Sequence, residues 1–429
     1  MSRIHYGWIV VAAVFITMIT SSGVRSSFSV FVKPWQAEFG WDRASVAGAA
    51  AIGLLLFGLL QPVIGRVCDR YGPRRVMGLA LFLIGIGALA STQIQTKWQL
   101  YLVYGVLASL GFAGTAPTIS SVVVGRWFVA RRGLALGIIT SGSSLGALAL
   151  VPLTMAIVLA GGWRAGLAAL GIFLAFVVAP TVFLLVRDDP SAKGAAAYGT
   201  RTPGTTIAAE REPSVDLRTA LGSRPFWLLA LPFLVCGYTT MGLTDTHLVP
   251  LAVEAGVPEL SAATSIGVVG LFNAIGTVLA GVASDRWGRR YPLALIYLVR
   301  GLSLLILMIA HDALTLFVFA AIFGLAGFGT VPPLSALAID FFGRRSLGSI
   351  FGSIVLMHQV GAATGAYVNG LIFDLTGSYL PALTLMIVLL IASAALTWLV
   401  DERSAHRVRA RLGTLPAESR PLGRRPVNV

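Results

Sequence analysis

Residues 65–75 read Gly65-Arg66-Val67-Cys68-Asp69-Arg70-Tyr71-Gly72-Pro73-Arg74-Arg75, and 216 residues later the chain repeats the pattern as Gly281-Val282-Ala283-Ser284-Asp285-Arg286-Trp287-Gly288-Arg289-Arg290. Each copy sits between two long apolar runs. The spacing persists elsewhere: Gly114-Thr115-Ala116-Pro117 returns as Gly329-Thr330-Val331-Pro332 at an offset of 215, and Val32-Lys33-Pro34 is echoed by Leu248-Val249-Pro250 at 216. Three separate echoes at one period identify an internal duplication.

The composition says which solvent the duplicated units face. Of the 429 residues, 56% are hydrophobic and only 12% charged, with a mean hydropathy of +0.83. That leaves too little polar surface to coat a water-soluble globule. Apolar runs of about 18 residues or more read as membrane-spanning helices. Twelve such runs begin near Gly7, Ala44, Val76, Trp98, Gly133, Ala165, Pro225, Ala262, Tyr291, Ala313, Leu347 and Leu380. The reading is an all-α integral membrane protein of two pseudo-symmetric six-helix bundles, residues 1–186 and 225–402. A Pro-, Gly- and Ser-bearing linker (187–224) joins them, with a short surface helix expected over 215–221, and a basic tail (403–429) follows.

A net charge of +14 raises nucleic acid as a partner, and the positions of the charges argue against it. On this layout 26 of the 32 Lys and Arg fall at the N-terminus, in the even-to-odd loops, in the linker or in the tail. The bias places both ends in the cytoplasm. The tail from Arg403 to Arg425 then reads as a topology signal or a contact for anionic lipid headgroups. The first span is too long for a signal-peptide core and reads as an uncleaved anchor. Cys68 and Cys236 lie far apart without companions, so neither a disulfide framework nor a metal site is expected. Arginine outnumbers lysine 29 to 3, which points to a GC-rich bacterial genome and an inner membrane.

Two parallel copies of six spans, each with a Gly-x-x-x-Asp-Arg-x-Gly loop after its second span, resemble the major facilitator superfamily over about residues 6 to 402. The resemblance implies that spans 1, 4, 7 and 10 line a central cavity while spans 3, 6, 9 and 12 stand outside. A narrower resemblance lies in Arg126-Trp127-Phe128-Val129-Ala130-Arg131-Arg132-Gly133-Leu134-Ala135-Leu136-Gly137 and Ser141-Gly142-Ser143-Ser144-Leu145-Gly146. Together with His5-Tyr6-Gly7-Trp8, Phe31-Val32-Lys33-Pro34 and Phe39-Gly40-Trp41, these are similar to the monocarboxylate and oxalate/formate transporter branch. Animal monocarboxylate carriers place an Asp and an Arg four residues apart in the eighth span, where this chain has Asn273 and Thr277. That departure speaks against lactate-type proton symport.

The repeated loop is the first candidate site. A carboxylate at the end of a span can face the positive N-terminus of a neighbouring helix. Asp69 is expected to meet the start of the eleventh helix, and Asp285 the start of the fifth. The gating set is Gly65, Asp69, Arg70, Gly72, Arg74, Arg75, Arg131, Arg132, Gly281, Asp285, Arg286, Gly288, Arg289 and Arg290; the alternative is that these charges only set topology. Glycines in spans 2, 5 and 11 (Gly53, Gly58, Gly137, Gly142, Gly146, Gly348, Gly352, Gly361, Gly365) are expected between the bundles, with ordinary helix packing as the other reading.

Intramembrane polar groups supply the second site. Arg25, two-thirds of the way along the first span, keeps its charge and needs water, a partner or an anionic ligand; its planar fork suits a carboxylate. The alternatives are a pair with Asp245 and a guanidinium reaching the interface. Tyr104, Tyr238, His247, Asn273, Arg300 and His358 complete the substrate-binding candidates, with Gln359, Asn369, Tyr101, Phe323 and Phe328 as further lining. Arg300 lies in the ninth span, which also permits a purely structural role. Asp245 is the preferred proton carrier, followed by His247 or His358.

There is no Gly-x-x-x-x-Gly-Lys-Ser/Thr, His-Glu-x-x-His or Gly-x-Ser-x-Gly, so neither ATP-driven transport nor an intramembrane enzyme is expected, and no cofactor is called for. The leading reading is a monomeric secondary transporter moving a small organic anion, a carboxylate for preference, by alternating access, with or without a coupled proton. An exporter of amphipathic or hydrophobic compounds is the alternative, and a transporter-derived sensor a more distant one.

Overall fold

The computed structural model describes residues 5–41, 43–200, 215–244, 247–405 and 408. Asp245, the expected proton carrier, and the basic tail beyond 408 lie outside the described residues. The apolar runs form helix 1 (Tyr6–Phe39), helix 2 (Gly48–Tyr71), helix 3 (Pro73–Ser91), helix 4 (Lys97–Trp127), helix 7 (Arg224–Thr244), helix 8 (Leu260–Trp287), helix 9 (Arg290–Met308), helix 10 (Ala313–Phe342), helix 11 (Leu347–Thr376) and helix 12 (Leu380–Trp398). Helices 5 and 6 share one helical stretch, Arg132–Leu185, which turns at Gly162 with φ 80°. Only glycine takes that conformation without strain, so residues 132–161 and 163–185 become two crossings and the total is twelve. Even the shortest span has 19 residues, enough at 1.5 Å per residue to cross the hydrocarbon layer. The start of helix 1, bonded through Tyr6 to Leu185 O, and the end of helix 12, where Trp398 packs on Tyr291, lie on one face, called here the terminal face. Leu217–Leu221 forms the expected short helix of the linker.

The halves meet where backbones touch. A Cβ on Gly65 would stand 2.0 Å from the Gly348 carbonyl oxygen, and one on Gly281 would stand 2.1 Å from that of Gly133. Helix 2 therefore lies against helix 11, and helix 8 against helix 5, in two pseudo-symmetric seams. Toward mid-membrane Gly352 faces the Gln61 carbonyl, Gly137 that of Thr277, and Gly58 the side chain of Gln359. The other glycines assigned to this interface pack elsewhere. Gly142 and Gly146 press on Phe15 and Ile19 of helix 1, Gly361 and Gly365 on Leu234 and Tyr238 of helix 7, and Gly53 on Ser109 of helix 4. Helices 5 and 11 thus use one end against the opposite half and the other end against their own.

The second echo marks two broken helices. Helix 4 stops at Gly114, passes through extended backbone at Ala116 and restarts at Pro117. Helix 10 stops at Leu325, turns at Gly327 (ψ −103°) and resumes at Val331. Proline in the first turn of each second segment suits the restart because its missing N–H would have no partner there. The linker, read from sequence as loose, is held at its described ends: Tyr198 N donates to Trp127 O (2.8 Å) and Val215 N to Phe342 O (3.1 Å).

Candidate functional site

A central cavity occupies the space between the broken helices, with an empty volume of about 770 Å³ that includes its mouth. Helix 1 contributes Met18, Ser21, Ser22 and Arg25, spaced 3, 4 and 7 residues from the first, and helix 11 contributes Phe351, Val355, His358 and Gln359 at the same helical period. Helix 4 supplies Phe112, Thr115, Ala116 and Pro117 at its break, helix 10 supplies Phe328 and Val331, and Phe57, Thr140, Ser143, Phe233 and Met241 fill the walls between. Among the described residues that line it there is one arginine, one histidine and no carboxylate. The Arg25 guanidinium stands 5.1 Å from the centre of the Phe57 ring, and His358 packs at 4.6 Å on Phe233. Ser22 donates to Ser143 at 3.1 Å across the wall. The arrangement offers a cationic end, hydroxyl donors and a broad aromatic surface.

Of the substrate-binding candidates, then, Arg25 and His358 reach this cavity, with Gln359 and Phe328 beside them. The others do not. Tyr238 donates to Asn369 Oδ1 (2.9 Å) and ties helix 7 to helix 11. His247 lies between Tyr379 Oη (3.2 Å) and Ala366 O (2.8 Å). Tyr104 packs its ring on Phe28 at 4.3 Å and donates to Arg25 O at 3.4 Å, outside the set of residues that lines the cavity. Tyr101 is bound to Ser45 O at 2.9 Å, and Phe323 is buried.

Arg300 and Asn273 lie outside the cavity lining for a shared reason. The break in helix 10 strips Ala326 O, Gly327 O and Phe328 N of their helical partners, and buried groups of this kind must be satisfied by something else. Arg300 is fully buried; its Nε donates to Ala326 O at 3.1 Å, its Nη2 bonds Ala326 O and Gly327 O, and its Nη1 donates to Cys236 Sγ at 3.0 Å. Asn273 Oδ1 accepts from Phe328 N at 2.7 Å, while its Nδ2 donates to Ser144 of the opposite half at 3.3 Å. Both residues brace the cavity wall from behind.

The terminal face is closed below the cavity. Asp69 accepts from Gly348 N and Ser349 N, each at 2.9 Å, and Asp285 accepts from Gly133 N and Leu134 N, each at 2.8 Å. These are carboxylates on the positive ends of helices 11 and 5, as the sequence predicts. Two more helix ends carry acids that sequence reading missed. Asp188 accepts from Arg74 N (2.8 Å) at the start of helix 3, and Glu402 from Arg289 N (2.9 Å) and Arg290 N at the start of helix 9. Gly72 and Gly288, both at φ 86°, bring the backbone onto those acids. The acidic pairs Asp188-Asp189 and Asp401-Glu402, 213 residues apart, were the available signal.

The remaining motif arginines divide by contact. Arg132 donates to Phe128 O (2.6 Å) and reaches Asp340 of helix 10 at 3.6 Å, while Arg289 reaches the same carboxylate at 3.2 Å. Asp340 thereby joins the two halves, another residue that sequence reading missed. Arg74 and Arg290 lie over Phe183 and Tyr291. Arg70 and Arg286 lie beside the rings of Tyr71 and Trp287, Arg75 is exposed, and Arg131 begins helix 5 at φ 57°.

Comparison with known proteins agrees with this architecture. The sequence model of the Major Facilitator Superfamily matches residues 14–360 and 248–427. The uncharacterised MFS-type transporter YcxA of Bacillus subtilis is 30% identical over 399 residues, covering 91% of this chain and 94% of its own. Monocarboxylate transporter 12-B of Danio rerio is 24% identical over 415 residues, covering 92% and 87%. The proton:xylose symporter XylE bound to 6-bromo-6-deoxy-D-glucose shares the fold at a TM-score of 0.72 and 15% identity, over 95% of this chain and 99% of its own. The Escherichia coli fucose:proton symporter FucP superposes at 0.66 with 15% identity, over 96% and 100%. The chain belongs to the major facilitator superfamily and is an integral membrane transporter.

Proposed function

We propose that this transporter carries a small organic monoanion, a carboxylate with an apolar body, by alternating access. The observation that carries the reading is the cavity wall: Arg25 and His358 among hydroxyls and five phenylalanines, with no Asp or Glu among the described lining residues. A guanidinium pairs with a carboxylate through parallel hydrogen bonds, and the aromatic surface receives the remainder of the molecule. The monocarboxylate transporters among its relatives point the same way. Arg25→Ala is expected to weaken carboxylate binding by about 10- to 100-fold, the worth of a charge-assisted contact of about 1.5–3 kcal/mol. Thermal stabilisation of the purified protein by a panel of carboxylates, sugars, amino acids and organic cations tests this. Stabilisation by cations or neutral apolar compounds, equal in Arg25→Ala, would replace the anion reading with export of hydrophobic compounds.

The gating set acts in this cycle as the lock on the terminal face, which we place in the cytoplasm with both chain ends. Asp69 and Asp285 hold the seams, and Asp340 holds Arg132 of the other half. Opening must break all three contacts. Asp340→Asn removes an ion pair between halves, worth about 1 kcal/mol at this partial exposure, and should raise the population open on this face about fivefold. Spin-label distances across the terminal face measure the change; an unaltered distribution would make Asp340 an ordinary surface acid. A monomer suffices, since each polypeptide encloses its own cavity.

A further inference from the structure

A second cavity lies inside the first half and meets the central one at Phe112. Helices 1, 3, 4 and 6 border an empty volume of about 390 Å³ that includes its open side, lined by Phe28, Phe31, Trp35, Ala88, Tyr104 and Phe112 among others. Phe112 also lines the central cavity, the one residue common to the two linings as described. Three features set this space apart from a packing defect. Its helix 4 wall, Tyr101–Ala108, is a π-helical stretch, a geometry that costs helix stability and recurs at functional positions. Trp35 is 1% exposed, and its indole Nε1 finds no acceptor among the described residues. An unsatisfied buried donor is costly enough that native proteins rarely keep one. Finally, the Tyr104 hydroxyl donates to the backbone oxygen of Arg25, which ties this wall to the residue at the cationic end of the central cavity.

We propose that the cavity behind Phe112 is a tail subsite: with the carboxylate at Arg25, rotation of Phe112 admits the apolar tail of the transported anion. This rests on the carboxylate reading above. The apolar walls suit an alkyl or aryl chain, and the unpartnered indole N–H of Trp35, which lines the space, would favour a tail that carries an acceptor oxygen such as a keto or ether group. Substrate selection then divides between two places. Arg25 selects for negative charge, and the space bounded by Gly87, Ala88, Ala108 and Phe112 selects for tail length. The occupant is the substrate itself, because the space adjoins the substrate cavity at a shared side chain, Phe112.

The test is a chain-length series, acetate to hexanoate, titrated against the full-length protein in lipid nanodiscs, with 5-oxohexanoate beside hexanoate. Each methylene buried in an apolar site tightens binding about fourfold. Wild-type affinity should climb at that rate beyond propionate. Ala88→Leu, which fills the space, should flatten the climb and cut hexanoate affinity at least tenfold relative to acetate. Trp35→Phe should remove any preference for 5-oxohexanoate. Unliganded melting temperatures monitor folding. Gly87→Ala is the milder variant, since its new Cβ would stand 3.5 Å from that of Ala108, an ordinary contact; a twofold loss for hexanoate is expected. A slope equal in wild type and in the folded variants overturns the subsite, and so does a phospholipid acyl chain found retained there by native mass spectrometry. Failure of every acid to bind overturns the carboxylate reading itself, a result distinct from a normal but unaltered slope.

Discussion

Arg300→Met is expected to destabilise the protein by about 3–5 kcal/mol, the usual result of removing one side of a buried charged network. Methionine matches the length of the arginine but donates nothing. Ala326 O and Gly327 O would lose the guanidinium that replaces their helical partners, inside a layer that offers no water. Each unsatisfied carbonyl costs about 1–3 kcal/mol, and relief of the buried charge offsets part of that. Arg300→Lys keeps the charge but gives up the planar fork that bonds two carbonyls and Cys236 together, so an intermediate loss is expected. Thermal unfolding of the purified variants reads this directly, with Arg25→Ala as the contrast. Arg25 lines the cavity, and its removal should move the melting temperature little while weakening carboxylate binding. A melting temperature unchanged in Arg300→Met, together with lost carboxylate binding, would restore the ligand role that the sequence position allowed.

The contrast between these two arginines shows how far the sequence could be read. Hydropathy and the 216-residue repeat depend on composition along the chain, so they yielded the twelve crossings without knowledge of packing, while the breaks in helices 4 and 10 at the second echo appeared only in the structure. Asp69 and Asp285 were legible for a related reason: each stands at a fixed distance from a glycine, in a loop whose duplicate constrains the same contact. Which way a helix turns inside a bundle is a different matter. It depends on the faces its neighbours present, and in a membrane both the lipid side and the core are apolar, so the alternation that orients a soluble helix is weak. Tyr238, Asn273 and Arg300 therefore lie on the expected helices with their polar groups engaged outside the lining of the central cavity. A stripe drawn back from Arg25 at steps of three and four residues would have found Ser22, Ser21 and Met18, and the same operation from His358 would have found Val355 and Phe351. Asp340 had no such signal, since its partner Arg132 belongs to the other half.

Gly65→Ala combined with Gly281→Ala should nearly abolish turnover in a protein that still folds. At Gly65 an added Cβ would lie 2.0 Å from the Gly348 oxygen, and at Gly281 it would lie 2.1 Å from that of Gly133. Neither neighbour is a flexible side chain that can step aside; both are backbone, so helix 2 must leave helix 11 and helix 8 must leave helix 5. Overfilling a fitted contact costs about 1–3 kcal/mol, so the pair disfavours closure of the terminal face by roughly thirtyfold at the low end. The same displacement draws Asp69 and Asp285 away from their helix ends, which removes the electrostatic reward for closing. The cost falls on one conformation only, because the opposing backbones are apart once the face opens; uptake should therefore fall much further than the melting temperature. Spin labels at Tyr71 and Arg345, on either side of the helix 2 and helix 11 seam, should shift to the longer distance, and the native cysteines will not compete because both are buried. Gly58→Ala is the internal comparison: its Cβ would meet the side chain of Gln359 at 3.0 Å, a neighbour able to yield, and a small effect is expected. Equal losses from Gly58→Ala and Gly65→Ala would mean that helix packing in general, rather than backbone contact at the two seams, governs closure.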